Sequence, residues 1–348
     1  MRLKVAAGPV FDEGGGVSRH IGAIARHSSH EVVMVPSAAV KALIGQGSRG
    51  LRHAAYERVT GLRGLKGFDV LHSHAHPWFT RLCRSSRRRA SGWMHTYHTL
   101  YFPEDYPSGT LEPWQADANA AALEVAGAAD ARVCVSRWMA EHLSSVHGID
   151  AAYIPNGVDV AECARADGGR FTRRWRQEGF VLFVGSSAPL KNHPAFLDLA
   201  KRAPSLRFVM IGPGLDRRSL FSSEREPLPG NLDCLGRLDH MATLDAIAAS
   251  RAVVCTSRRE GLPTVLLEAM AIGRPVVAPD HSGCAEAIGS GRYGHMYAFG
   301  SGEDLADKTL SAVESAGTVG PARERVAEEY DWRRVAGRID EVYASLYR

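Results

Sequence analysis

Ser257-Arg258-Arg259-Glu260-Gly261-Leu262-Pro263-Thr264-Val265-Leu266-Leu267-Glu268-Ala269-Met270 is the stretch whose reading decides the fold. It follows Ala252–Thr256, an apolar run of the kind that forms a strand buried on both faces. Pro263 suits the first turn of a helix, where a missing N–H costs nothing, and Gly273 followed by Pro275 ends that helix. A helix of about ten residues thus begins at a strand's carboxyl end, with its free N–H groups forming a ready anion site. Gly261 lets a ligand approach the backbone. Glu260 stands in the loop before the helix and Glu268 within its first two turns. Carboxylates are good acceptors for sugar hydroxyls, so the layout predicts a nucleotide-sugar, with its diphosphate at the helix start and its hydroxyls at the two glutamates. On spacing alone, a surface glutamate before a helix and a solvated one on it is an equal alternative.

Outward from this stretch the chain alternates strand and helix patterns. In the second half, Phe180–Val184, Leu206–Ile211 and Pro275–Ala278 read as further apolar strands, with a helix from Pro194 to Arg202. In the first half, strands are expected at Arg2–Ala7, Glu31–Val35, Asp69–His72, Gly92–Thr96, Ala131–Val135 and Ala152–Pro155. Helices are expected at Val17–Ala25 and Arg137–Ser144, the latter with Ser136 as N-cap. The polar stretch Ala161–Glu178 reads as a linker, and Tyr330–Arg348 as one or two amphipathic helices. Alternation of this kind means parallel sheets covered on both faces. The expected architecture is α/β, with two doubly wound, Rossmann-like domains facing a central cleft. The first spans residues 1–165 and is completed by a C-terminal helix at 331–348; the second spans 175–330.

Length and composition agree with this. A chain of 348 residues suggests two domains, and 45% apolar with 23% charged residues is ordinary for globular proteins. No apolar run approaches the ~18–20 residues that cross a bilayer, and the first eleven residues read as a strand rather than a signal peptide. The six cysteines include no CxxC pair, which excludes a zinc ribbon and a disulfide framework and points to a reduced, cytoplasmic setting. The net charge of +4 lies wholly in the first 150 residues. Nucleic-acid binding lacks support, because aromatics are not interleaved with the basic run Arg81–Arg89 and the net charge is small. Arg81, Arg84 and Arg88 would share one helix face that suits a lipid-linked or phosphorylated acceptor, or is simply solvated.

The segment "EGLPTVLLEAM" followed by "GRPVVAPDHSGCAEAI" resembles the donor-site motif of retaining glycosyltransferases of family 4, which have the GT-B fold. The resemblance runs over nearly the whole chain, through "GGGVSRHI", "DVLHSHAHP", "HTYHTL", "VSRWMAEHL", "IPNGVD", "VLFVG", "PLKN", "MIGPG" and "YDWRRVAGRIDEVYASL". It implies a transferase that moves a sugar from a nucleoside-diphosphate donor to an acceptor hydroxyl with retention of configuration. No metal or other cofactor is implied. Glu260 then lies by the donor-sugar hydroxyls, Glu268 holds the ribose diol, and Gly261, Leu262, Pro263 and Thr264 touch the donor sugar and phosphates. Lys191 matches the lysine that neutralises the leaving diphosphate. His98, in the "T-x-H" of Thr96-Tyr97-His98, matches a histidine set against the donor sugar, with His95 as a second candidate. Gly15 and Gly16, with Gly14, match a glycine loop that approaches the diphosphate or the acceptor; Arg19 and Asn156 match cleft positions. Glu286 either meets the donor side or caps a helix, and Gly283 fits a turn. The partners implied are the donor, a glycan, lipid-linked or small-molecule acceptor and, at most, a peripheral membrane contact.

Ser186 departs from the family, which usually has an arginine at this position; Arg217, Arg218 or Arg19 are candidates to supply the missing cation. The glycine loop is not GxGxxG, and the second strand lacks an acidic end, so a dehydrogenase is disfavoured. His72, His74 and His76 alternate and would share one strand face, but the chain bends at Pro77 and no fourth ligand is near, so no metal is expected. Acceptor residues are expected in Ser37–Lys66 and Tyr101–Asn119. Two other classes fit the same scaffold: a sugar-nucleotide epimerase or hydrolase, which would convert donor without acceptor, and a non-catalytic nucleotide-sugar-binding protein, which would bind donor without turnover.

Overall fold

A computed structural model describes residues 1–10, 15–37, 41, 44, 49–223, 227–314 and 317–347. Gly14 and part of the Ser37–Lys66 segment lie outside the described residues. The chain forms two compact units. One comprises Met1–Pro103, Thr110–Gly157 and Trp332–Arg348; the other comprises Glu104–Gly109 and Val158–Asp331.

The first unit is built on strands β1 (Lys4–Gly8), β2 (Glu31–Met34), β3 (Val70–Ser73), β4 (Gly92–Tyr97), β5 (Ala131–Cys134) and β6 (Ala152–Tyr153), all parallel, in the order β2-β1-β3-β4-β5-β6. Register pairs Ala7 with His72 and His72 with Met94. Alternate residues feed two cores. Leu71, Trp93 and Tyr97 pack with Phe79 and Cys83 of the Pro77–Ser86 helix. Val5, Val70 and Met94 pack on the opposite face with Trp332, Val335, Ile339 and Tyr343 of the Trp332–Leu346 helix. The C-terminal segment is therefore one helix. Each large side chain it buries contributes roughly 1.5–3 kcal/mol. The Arg81, Arg84, Arg88 face does not form as expected: the helix ends at Ser86, Arg87–Arg89 is a 3-10 turn, and Arg81 and Arg87 pair with Asp117 and Asp130.

The second unit carries β7 (Val181–Val184), β8 (Phe208–Ile211), β9 (Leu232–Cys234), β10 (Ala252–Val254), β11 (Val276–Pro279) and β12 (His295–Tyr297), also parallel, in the order β12-β11-β10-β7-β8-β9. Counted from β7, this is the 3-2-1-4-5-6 order of the Rossmann fold, whose direction switches between β7 and β10. Both units are parallel six-stranded sheets wound in both directions from a central switch point, as the sequence predicts. The expected linker is in part helical: Val160–Cys163 and Gly168–Trp175 are helices capped by Asp159 and Asp167, and Phe171 is buried. The capping aspartates and two buried apolar anchors, Cys163 and Phe171, explain why a polar stretch still folds. Ser136 does precede the Arg137–His147 helix, but its side chain makes no capping bond.

Candidate functional site

In an open α/β sheet, ligands bind outside the carboxyl ends of the strands where the strand order reverses. In the second unit those ends belong to β7, which leads to Gly185 and Ser186, and to β10, which leads to Ser257 and Glu260. Two turns meet there. The 3-10 turn Pro189–Lys191 ends at Asn192, which has φ 50 and starts the His193–Arg202 helix. Thr256 Oγ1 donates to the carbonyls of Lys191 and Asn192 (3.0 and 2.9 Å), and the Arg258 N–H donates to Leu190 O (2.8 Å). This ties the lysine turn to the loop after β10. Lys191 Nζ then reaches Glu260 Oε1 at 2.5 Å, and Ser257 Oγ donates to the same oxygen at 2.7 Å. Burial works against the Lys191 ammonium, but the charge and hydrogen bond of Glu260 outweigh it and raise its pKa. The site therefore keeps a fixed cation at neutral pH.

Past Glu260, Gly261 and Leu262 are buried and lead to the Thr264–Ile272 helix, which ends at Gly273 with φ 84. Pro263 stands at the N-cap, one residue earlier than the first turn where the sequence placed it. Glu268 is buried on this helix. His240 Nε2 lies 3.8 Å from Glu268 Oε1 and 3.7 Å from Glu162 Oε2. His240 is placed there because Asp239 caps its helix, accepting from the Ala242 N–H at 2.8 Å.

The loop is also gripped from its other side. The Glu260 N–H donates to Ser282 Oγ (3.3 Å), the Gly283 N–H donates to Glu260 O (3.1 Å), and His281 Nε2 bonds Arg258 O. A Cβ on Gly283 would sit 1.7 Å from Gly261 O. Gly283 is thus not a turn residue, as the sequence suggested, but a point of close backbone approach inside the Ser282–Ala287 helix. Glu286 falls late in that helix, whose N-cap is His281, so it caps no N-terminus there. Gly212, with φ 145, makes the same kind of approach to Gly185, where a Cβ would come within 1.7 Å of Gly185 O. Ser186 Oγ accepts from the Ala188 N–H at 3.4 Å. Arg217 and Arg218 are exposed at the start of the Arg217–Ser223 helix, in the connection after β8. Arg259 is held by Asp105 at 2.5 Å and Glu104 at 3.1 Å, a link that sequence reading missed because it joins residues some 150 positions apart.

The first unit gathers histidines at its own switch point, between β1 and β3. His20 lies on the buried side of the Gly16–His27 helix, and its Nδ1 bonds Asn156 Oδ1 at 3.0 Å. His74 follows β3 and His98 follows β4; His74 Nδ1 bonds His98 Nε2 at 3.1 Å. The His20 ring stands edge-on to His98 at 4.8 Å. Burial drives His20 down to about 4 and His74 and His98 well below 6.5, with neighbouring histidines adding to the shift in His74 and His98, so all three are neutral at pH 7. Asn156 thus orients His20, the partner that the sequence reading did not single out. The signal was "SRHI", one helical turn past Gly16. Gly15 and Gly16 are exposed; a Cβ on Gly16 would stand in open space, one on Gly15 would only touch Ser18 Oγ at 4.0 Å, and Gly15 has an ordinary φ of −81. Arg19 is exposed on the first turn of the same helix.

His72, His74 and His76 do not assemble as a trio. His72 spends both nitrogens on Tyr343 (2.6 Å) and Thr96 (2.7 Å), and His76 is the N-cap of the Pro77–Ser86 helix. His95 bonds Ser73 Oγ at 2.8 Å on the other side of the sheet from Thr96, a packing histidine pushed down to about 3 by burial. Among the described residues, His20, His74 and His98 alone bring ring nitrogens within 4.8 Å of one another, as a metal would need, but the His74–His98 hydrogen bond already engages two of those nitrogens. In the Tyr101–Asn119 segment, Tyr101 stacks edge-on with exposed Trp114 at 5.1 Å and its backbone is clamped by Asn119. No helix among the described residues is long and apolar enough to cross a membrane.

Comparison with known proteins places this geometry. Residues 170–330 match the family described as "Glycosyl transferases group 1", and residues 14–162 match "Glycosyltransferase Family 4". The chain is 30% identical to a phosphatidyl-myo-inositol mannosyltransferase of Mycolicibacterium smegmatis, over 99% of this chain and 94% of that protein. It is 27% identical to a D-inositol 3-phosphate glycosyltransferase of Gordonia bronchialis, over 76% of this chain and 63% of that one. Among solved structures, a sucrose-phosphate synthase from Thermosynechococcus elongatus superposes with a TM-score of 0.81 at 18% identity, covering 100% of this chain and 99% of that chain. Anabaena HepE in complex with UDP and glucose superposes with a TM-score of 0.75 at 18% identity, covering 99% and 100%. With family matches over both halves and a relative aligned end to end, the chain belongs to glycosyltransferase family 4 and is a glycosyltransferase of the GT-B fold.

Proposed function

We propose that the protein transfers a sugar from a nucleoside-diphosphate-sugar to an acceptor hydroxyl, with retention of configuration and without a metal. The observation that carries this is the Lys191–Glu260 pair at the β7/β10 switch point, beside the start of the Thr264–Ile272 helix. As the bond from the sugar to the diphosphate breaks, negative charge builds on the leaving group. A lysine kept protonated, together with helix N–H groups, stabilises that charge, and Lys191 would exchange part of its contact with Glu260 for the diphosphate. Glu260, held by Ser257 and Lys191, accepts from donor-sugar hydroxyls, and Glu268 accepts from the ribose diol. In this reading the leaving diphosphate itself takes the acceptor proton on the face it departs from. His98, kept neutral in the first unit, is able to donate or accept a hydrogen bond with a sugar hydroxyl, the role the family resemblance implies for it. Two relatives, a phosphatidyl-myo-inositol mannosyltransferase and a D-inositol 3-phosphate glycosyltransferase, make an inositol hydroxyl the first acceptor to try, free or lipid-linked.

The test is a thermal-shift screen of UDP, GDP, ADP and TDP and their sugars, with and without EDTA, since a ligand that binds only the native state raises the melting temperature. A shift with one base that EDTA leaves unchanged supports the reading. No shift with any of them contradicts it and makes the loss of the usual arginine at Ser186 functional.

A further inference from the structure

Cys255 and Cys284 are buried, and their sulfurs lie 3.8 Å apart. Cys255 directly follows β10, and Cys284 sits in the Ser282–Ala287 helix, whose first residues grip the Glu260 loop. The Cys255 thiol donates to Ser257 Oγ at 3.4 Å, and Ser257 donates to Glu260 Oε1 at 2.7 Å. A continuous line of hydrogen bonds thus runs from Cys284 through Cys255 and Ser257 to the Lys191–Glu260 pair. We propose that Cys255 and Cys284 form a dithiol–disulfide modification site that releases the Glu260 loop when oxidised.

The geometry sets the direction of the effect. The sulfurs must close from 3.8 Å to about 2.05 Å. The Ser282–Ala287 helix cannot follow by sliding on the loop, because Gly283 already touches Gly261 with no space for a single added carbon. Closure therefore displaces Ser282 and Gly283 from Glu260, and it removes the thiol proton that Ser257 accepts. Cys255 is the attacking thiol: the hydrogen bond from Cys284 lowers its pKa below the ordinary thiol value against burial and Glu260, while that contact and burial raise Cys284 well above it. With hydrogen peroxide as the oxidant, the Cys255 thiolate attacks one peroxide oxygen and the other leaves as hydroxide, giving a sulfenic acid. The Cys284 sulfur, losing its proton to that base, attacks the Cys255 sulfur and expels the second hydroxide, which takes up the proton that Cys255 released to solvent on forming its thiolate. Two thiols and one peroxide become one disulfide and two waters.

The consequence for ligand rests on the donor-site reading above; the disulfide and the loop release do not. The experiment treats the full chain with hydrogen peroxide and reads three things. Peptide mapping without reduction should link the Cys255 peptide to the Cys284 peptide, with two of the six free thiols lost. Hydrogen–deuterium exchange across residues 257–264 should rise and return to baseline with dithiothreitol. The affinity for the nucleoside diphosphate that binds the reduced protein should fall about tenfold or more. Cys284→Ala and Cys255→Ala should each abolish the exchange and affinity responses to peroxide. The proposal is overturned if no such linked peptide forms, if it forms while loop exchange stays at baseline, or if Cys284→Ala responds to peroxide like the parent. Reduced protein that binds no nucleoside diphosphate defeats the donor-site reading alone, because mapping and exchange still decide this one.

Discussion

Replacing Lys191 by alanine separates its part in folding from its part in catalysis. The lysine side chain keeps 35% of its surface exposed and that of Glu260 16%, so solvent screens their attraction and the pair contributes about 1 kcal/mol to stability. For a unit of this size that is a fall of roughly 2–4 °C in melting temperature. The transition state loses more. A fixed charge aimed at a leaving group in a half-buried site is worth about 10²–10³ in turnover, or about 3–4 kcal/mol. Initial rates of nucleoside diphosphate release, measured with and without acceptor, read the second quantity, and thermal unfolding reads the first. The pairing with Glu260 adds a control. In Lys191→Ala the Glu260 carboxylate keeps Ser257 but loses its cation, so Lys191→Ala/Glu260→Gln should regain melting temperature and not turnover. Turnover of Lys191→Ala within about threefold of the parent, under ~0.7 kcal/mol, would refute the reasoning and assign the charge to another cation.

Three further outcomes follow from the same geometry. Glu268→Ala should weaken nucleoside diphosphate binding about 10- to 100-fold, because a ribose diol loses a charged acceptor worth about 1.5–3 kcal/mol; unchanged affinity by titration calorimetry removes Glu268 from the site. Gly283→Ala should cost about 1–3 kcal/mol of stability and lower nucleotide affinity, since its Cβ would meet Gly261 O at 1.7 Å; a variant with parental melting temperature would mean that the loop yields. Stability should hold level above pH 6.5 and fall below it. His20 has its folded pKa lowered to about 4, so between that value and 6.5 the unfolded chain binds the extra proton, and each such histidine costs up to about 1.4 kcal/mol per pH unit. A melting temperature that stays flat from pH 7.5 to 5 contradicts the neutral histidine cluster.

The main strands were legible because parallel strands covered on both faces read as unbroken apolar runs, as in Phe180–Val184 and Ala252–Thr256. β9 and β12 were not, since three residues such as Leu-Asp-Cys and His-Met-Tyr leave no pattern to recognise. The Val160–Cys163 and Gly168–Trp175 helices hid in a polar stretch because each buries one apolar residue, Cys163 and Phe171, behind a capping aspartate, too little for periodicity to show. At the site, Glu260, Glu268 and Lys191 could be named because local motifs carry them. Contacts that join distant parts of the chain were invisible: Asn156 holding His20, Asp105 holding Arg259, Glu162 and Glu268 on either side of His240, and Cys255 against Cys284. Each joins elements far apart in the sequence that only the folded chain brings together, which no local pattern encodes.

The most direct test of the central claim is an anomer-resolved NMR assay. Purified protein with EDTA, the nucleotide-sugar whose base gives the thermal shift, and an inositol acceptor would be followed through the anomeric proton of the product. The account predicts a glycoside with the donor's anomeric configuration, formed at the same rate with and without EDTA. An inverted product, or turnover that vanishes with EDTA, would contradict it.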